Sequence, residues 1–248
     1  MFKGLFVTGT DTNVGKTVVS AALMLRYRDE APLRYWKPIQ TGIREAGTAG
    51  DDDTAEVARL SCARDDEVLR SGVRLPDPVS PHLAAQRAGT RITVRTLAET
   101  LNQVEHSAHV ESRTPPAPSA VEGNPESRPR WIVEGAGGLL VPINERETMA
   151  DLIHTFDLPV VIAARSTLGT INHTLLTIEA LRRRMLRVVG VVMVGPRNTE
   201  NRIAIEKYGA AEVVGEMPTF DPLTPDALRH WVDAELDRNG VLFVNALR

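Results

Sequence analysis

Leu5, Phe6 and Val7 form an apolar, strand-like run that passes straight into Gly9-Thr10-Asp11-Thr12-Asn13-Val14-Gly15-Lys16-Thr17, and an apolar helical stretch follows over 18–27. A strand, a glycine-bounded turn ending in Gly-Lys-Thr and a helix together make a phosphate-binding loop. Backbone N–H groups at such a turn, the positive end of the helix and the lysine ammonium neutralise a polyphosphate, while the threonine hydroxyl suits magnesium. The usual spacing, G-x-x-x-x-G-K-[ST], is one residue shorter than the spacing from Gly9 to Gly15. Either the turn is one residue longer, or Thr10 takes the place of the first glycine. The plain alternative, an incidental Gly-Lys-Thr at a helix start, does not account for the strand immediately before it.

The rest of the chain repeats the strand-then-helix rhythm. Short runs rich in Val and Ile recur at 35–36, 131–133, 160–164, 188–194 and 212–214. They are apolar throughout rather than alternating, as expected for strands buried on both faces of a parallel sheet. Helical patterns lie at 16–28, 53–61, 81–88, 94–108, 148–156, 170–185, 200–208 and 225–237. The expectation is an α/β fold, a doubly wound and mostly parallel sheet with helices on both faces, spanning 1–248 as one P-loop domain. Residues 111–130 break the rhythm with Pro115, Pro116, Pro118, Pro125 and Pro129 among Ser, Glu and Gly. That composition buries too little apolar area to offset its ordering entropy, so a proline-rich surface insertion is expected there.

Composition narrows the class of partner. The net charge of -3 and the lack of a basic run longer than Arg182-Arg183-Arg184 argue against a nucleic-acid surface. Those arginines are expected as a solvated helix end. Cys62 is the one cysteine, so no intramolecular disulfide or zinc cluster is expected and a reducing cytoplasm fits. No apolar run reaches membrane-spanning length, and the first strand follows Met1 too closely for a signal peptide.

Four further stretches carry chemistry. In Trp36-Lys37-Pro38-Ile39-Gln40-Thr41-Gly42 a strand delivers a lysine and breaks at a proline, which sets Lys37 at the strand's carboxyl end. Ligands bind at that edge of open α/β sheets, so Lys37 and Lys16 can approach one phosphate from two loops. The plain reading is an exposed lysine whose stem lies over Trp36. Asp51-Asp52-Asp53 precedes a helix and reads first as a cap, with one carboxylate available to magnesium. In Arg130-Trp131-Ile132-Val133-Glu134-Gly135-Ala136-Gly137-Gly138 a buried strand ends in a carboxylate suited to magnesium, and glycines follow that allow close approach. Ser166-Thr167-Leu168-Gly169-Thr170-Ile171-Asn172-His173-Thr174 opens a helix at the same edge. Capping or core packing is the expectation for Asn172 and His173, and the same caution applies to His82 in Ser80-Pro81-His82.

Taken together, Val7-Thr8-Gly9-Thr10-Asp11-Thr12 with Val14-Gly15-Lys16-Thr17, Lys37-Pro38 with Thr41-Gly42, Ser80-Pro81-His82, Val133 to Gly138 and Leu168 to His173 resemble the dethiobiotin synthetase family. The extra residue between Gly9 and Gly15 is itself family-like. The resemblance implies an ATP-dependent ligase of biotin synthesis that carboxylates 7,8-diaminononanoate with CO2 and closes the ureido ring, as a homodimer with magnesium. It implies that Lys16, Lys37 and Thr12 are catalytic, that Thr41, Thr12 and Lys37 bind the diamine, and that Thr17, Asp53 and Glu134 surround the metal. Nucleotide contacts fall by the same resemblance on Asn13, Val14, Gly15, Lys16, Thr17 and Val18, on Asp53, on Glu134, Gly135, Ala136 and Gly137, and on Pro218 and Thr219.

The chain departs from the family pattern in two places. Asn13 stands where some members carry glutamate, and Val194-Gly195-Pro196-Arg197-Asn198 follows a strand after which members commonly present an adenine-reading asparagine. Two other functions compete. One is a related P-loop amide-forming ligase with another substrate, against which Lys37-Pro38 and Ser80-Pro81-His82 argue. The other is a partner-switched partition ATPase, which often places an extra lysine early in the loop where this chain has Thr10-Asp11-Thr12.

Overall fold

A computed structural model describes residues 2–43, 52–111 and 129–242, with the backbone alone over 106–111. Residues 112–128, which hold most of the expected proline-rich insertion, and Asp51 lie outside the described residues.

The apolar runs become strands β1 (Gly4–Gly9), β2 (Leu33–Trp36), β6 (Arg130–Gly138), β7 (Val160–Arg165), β8 (Val188–Val194) and β9 (Val213–Met217). With the short β4 (Val68–Leu69) they form one sheet in the order β4-β2-β6-β1-β7-β8-β9. Every pairing in it is parallel. The side chains explain why the runs are apolar throughout: Phe6, Trp131, Val133 and Ile162 enter one core, while their neighbours Leu5, Val7, Ile132 and Val161 enter the other.

Helices α1 (Lys16–Tyr27), α2 (Asp53–Ser61) and α8 (Pro225–Glu235) cover the face of Leu5 and Val7. The opposite face carries α3 (Pro81–Arg87), α4 (Val94–Glu111), α5 (Met149–Phe156), α6 (Thr170–Arg183) and α7 (Thr199–Gly209). The long apolar elements therefore stand where periodicity puts them, within a few residues at their ends.

Three short elements had no counterpart in the expected pattern: β4, and a separate parallel pair of β3 (Ile39–Thr41) and β5 (Val73–Leu75). Runs of two or three residues flanked by Pro, Gly and charge carry no periodic signal. Two further expectations change. The strand does not end at Glu134, because β6 runs on through the glycines to Gly138 beside β1. Arg182 is not merely solvated: its guanidinium donates to Gly209 O and Ala210 O, both at 2.7 Å, and so caps the end of α7.

Candidate active site

The turn between β1 and α1 resolves the spacing question. Thr10 N donates to Ala163 O at 3.0 Å, continuing the sheet pairing, so the extra residue lengthens the turn. Gly9 keeps the first-glycine role for reasons of space: a Cβ there would lie 2.7 Å from Val14 Cγ2 and 2.8 Å from Asp11 O. Asn13 and Gly15 supply the turn's left-handed residues, with φ of 56° and 90°. Asparagine tolerates that conformation better than longer side chains, which gives the Asn13 departure a local reason. Asp11 organises the loop: its carboxylate accepts from Thr12 N at 2.7 Å and from Arg165 Nη2 at 2.6 Å, and its carbonyl accepts from Lys16 Nζ at 2.9 Å.

Lys37 follows β2 directly and is buried, 3% exposed, so the plain reading of an exposed lysine lying over Trp36 is corrected. Its ammonium bridges Asp53 Oδ2 at 2.7 Å and Glu134 Oε1 at 2.6 Å, and donates to Gly135 O at 3.2 Å. Thr17 Oγ1 donates toward the same carboxylates, at 3.0 Å from Asp53 Oδ1 and 3.2 Å from Glu134 Oε1. Tyr35 Oη donates to Glu134 Oε2 at 2.8 Å, satisfying a carboxylate with no solvent exposure. Residues far apart in sequence thus converge at one sheet edge because β2, β6 and β1 are adjacent.

Of the two described members of the acidic triplet, Asp53 is the one that reaches the cluster. Asp52 is the N-cap of α2, accepting from Thr54 N at 2.8 Å.

The two lysines carry different electrostatics. Burial and then the neighbouring Lys37 pull Lys16 down to about 8. Burial also acts against the Lys37 charge, yet the carboxylates of Glu134 and Asp53 outweigh it and lift its pKa above the ordinary lysine value. Asp53 responds in kind: burial would raise it, but Lys37 and Thr17 hold it below the ordinary carboxylate value. Burial, followed by the Glu134 charge, pushes Tyr35 well above the usual phenol range, so it is a fixed donor.

The remaining candidates lie around this centre. Thr12 is exposed on the loop, and its Oγ1 is 3.7 Å from where a Cβ on Gly137 would stand. Val14 is buried and Val18 half-buried, flanking the lysine on either side. Ala136 is buried within β6. Thr41 closes β3, one residue past Gln40, whose Oε1 accepts from Asp53 N at 3.0 Å. Gly195 N donates to Met217 O at 2.8 Å, which brings the exposed Pro218 and Thr219 beside the end of β8. Val194 packs toward Gly15: a Cβ there would meet its Cγ1 at 3.0 Å. Asn198 caps α7, accepting from Asn201 N at 2.9 Å.

His173 and Asn172 are exposed, so core packing is corrected for both, and Gly169 is the N-cap of α6, with no side-chain cap bond. Ser80 Oγ lies 3.0 Å from His82 Nδ1 and does not cap α3. Sequence reasoning passed over Tyr35, Gln40, Arg74 and Arg165 as site neighbours. Gln40 lies within the Lys37 stretch but carries no signal of its own there, the other three sit in no recognisable motif, and only the tertiary arrangement brings them in.

The chemistry available here is that of a phosphate site with a second cation and a hard-oxygen pocket. Among the described residues no group of three or more His, Cys, Asp or Glu side chains is arranged for a metal. One hydroxyl and two carboxylates, completed by phosphate oxygens and water, is nevertheless the donor chemistry magnesium takes in phosphoryl-transfer sites.

A loop of this form at the central strand of a parallel sheet, with one acid from the adjacent strand β6 and one from the start of α2, defines a P-loop ATPase. A family model described as an AAA domain matches residues 3–227. The ParA family ATPase of Chlorobium tepidum shares the fold at a TM-score of 0.51 and 10% identity, covering 98% of this chain and 93% of that one.

Sequence similarity is more specific. The chain is 46% identical to the ATP-dependent dethiobiotin synthetase of Paramagnetospirillum magneticum, over 90% of this chain and 91% of that protein. It is 40% identical to that of Rhodopseudomonas palustris, over 91% and 90%. It also matches the bifunctional biotin biosynthesis protein of Bordetella avium at 41% identity, over 99% of this chain and 46% of that protein. The chain belongs to the ATP-dependent dethiobiotin synthetase family.

Proposed function

We propose that this protein is an ATP-dependent ligase that converts 7,8-diaminononanoate and CO2 to dethiobiotin, releasing ADP and phosphate. One amine adds to CO2 and loses a proton to give a carbamate. A carbamate oxygen attacks the γ-phosphorus as ADP leaves, and the second amine then attacks the carbon of the mixed anhydride, expelling phosphate and closing the ring. No covalent enzyme intermediate is required, so the protein's task is positioning and charge stabilisation.

The observation that carries this reading is the Lys37 ammonium held between Asp53 and Glu134 beside Thr17 of the phosphate loop. Lys16 neutralises the transferred phosphoryl group, and Lys37 stabilises carbamate and anhydride charge. Thr12 and Thr41 orient the diamine. Asn13 to Val18, Glu134 to Gly137, Pro218 and Thr219 line the nucleotide. Thr17, Asp53 and Glu134 are the residues that would hold magnesium, which when bound draws charge from the γ-phosphate oxygens. The reading includes a homodimer working in the cytoplasm. No helix among the described residues is long and apolar enough to cross a membrane.

Purified protein given the diamine, bicarbonate, magnesium and ATP is expected to release phosphate only when the diamine is present, with a cyclic urea as product. Diamine-independent hydrolysis without that product would overturn the proposal and favour a switching ATPase.

A further inference from the structure

Arg74 touches none of the groups assigned to the reaction, yet it spans the two segments that carry Lys37 and Asp53. It lies on β5 with its side chain 16% exposed. Its Nη1 donates to Lys37 O at 3.0 Å, its Nη2 donates to Thr54 Oγ1 at 2.6 Å, and its Nε is 3.9 Å from Asp52 Oδ1. The neighbouring Gly72 keeps this path clear: a Cβ there would stand 2.5 Å from both Arg74 Nη1 and Lys37 O. On the paired strand, Gln40 is in register with Arg74 and accepts from Asp53 N. The small sheet therefore grips the first turn of α2 at two points and the Lys37 peptide at a third.

The geometry points to Arg74 as a positioning residue for the ligase reaction, one that fixes Lys37 against Asp53 by tying the peptide after β2 to the start of α2. Planarity suits guanidinium to the task, because two separate nitrogens held in one rigid plane reach acceptors on different segments at a fixed spacing, whereas an ammonium offers all its donors from one nitrogen. Without it, the Lys37–Asp53 distance rests on the Gln40–Asp53 hydrogen bond and on the ion pair itself. A misplacement of about 1 Å at a reacting group can cost about 10²-fold in rate.

This inference rests on the function proposed above. Diamine-dependent turnover by the unaltered protein tests that function separately, and its absence would count against the function and not against the brace.

The decisive set is Arg74→Met, Arg74→Lys, Thr54→Val and the Met/Val double variant. For each, turnover, KM for the diamine and for ATP, the magnesium concentration giving half-maximal rate, and near-UV circular dichroism are measured. Arg74→Met is expected to lower kcat by about 10- to 100-fold with both KM values within about threefold, and to raise the magnesium requirement. Arg74→Lys recovers part of the loss, and the double variant is no worse than Arg74→Met, because both changes break one link. A folded Arg74→Met with kcat within about twofold of the unaltered protein would overturn the inference, as would losses that multiply in the double variant. Should Arg74→Met fail to fold, Arg74→Lys and Thr54→Val decide: unaltered kcat and magnesium requirement in both overturns it, and a lowered kcat at unchanged KM supports it.

Discussion

The phosphate loop and the carboxylate pocket each bury a lysine, and burial works against both charges while their neighbours act oppositely. Lys16, 7% exposed, meets a carbonyl and a neighbouring cation, and its pKa falls to about 8. Lys37, 3% exposed, meets two carboxylates and is held charged beyond the ordinary lysine range. The loop is thus a site waiting for negative charge, whereas the Lys37 ammonium already has two carboxylates against it. A polyphosphate supplies to Lys16 what Asp53 and Glu134 supply to Lys37.

The sharpest test of that contrast is a pair of substitutions with opposite effects on stability. Lys37→Met removes the cation between the fully buried Glu134 and the half-buried Asp53 and is expected to cost about 3–5 kcal/mol, with turnover down by about 10²–10³-fold. Lys16→Met removes a desolvated charge and should stabilise the free protein by about 1–3 kcal/mol while also abolishing efficient turnover. Thermal unfolding of the ligand-free proteins checks the signs, and a shift in the same direction for both would break the comparison.

Proton linkage follows from the same difference. Because the folded-state pKa of Lys16 lies below its unfolded value of 10.5, the charged form opposes folding below about pH 8 and that penalty lifts as pH rises toward 10.5. Lys37 has the reverse sign: its contribution is full below the ordinary lysine range and is lost as pH rises through its higher folded value. Asp53 contributes above the ordinary carboxylate range and loses that contribution as pH falls through its lowered value. ATP binding at pH 8 should therefore take up about half a proton per site, through Lys16. Calorimetry in buffers of different ionisation enthalpy measures it, and the uptake should vanish in Lys16→Met.

Two smaller effects refine the picture. Tyr35→Phe removes a donor from the fully buried Glu134 and is expected to cost about 1–3 kcal/mol in denaturant unfolding, with KM for ATP little changed. Asn13→Val should cost about 1–2 kcal/mol or less, because a β-branched residue resists the positive φ of the loop, while Asn13→Gly is near neutral. A larger loss for Asn13→Gly would mean that the Asn13 side chain itself is needed.

Legibility divides along the same line as the lysines. Gly9, Gly15, Lys16 and Thr17 are readable because their chemistry is local: a turn, a helix start and a charge lie within one segment. Glu134 and Lys37 are readable as candidates, since each stands at or near the end of a buried run, but their ion pair is not. The roles of Gln40 and Arg74 leave no trace in sequence, because β3 and β5 are too short for periodicity and only their pairing brings the two together, while Tyr35 reads as one more apolar strand position until β2 is set beside β6.

What the sequence determined by itself was the parallel α/β architecture, the phosphate loop and the set of acids and lysines available at the sheet's carboxyl edge. Hydrophobic periodicity and turn chemistry are short-range properties, and they survive in a linear reading. Only the tertiary structure decided that Asp53 and not Asp52 faces Lys37, that Lys37 is buried and paired, and that Arg74 braces both. Those outcomes depend on β6 inserting between β2 and β1 and on α2 starting against the small sheet. The physical reason is that charge pairing at distances near 3 Å is set by strand order and helix placement, which no local pattern encodes.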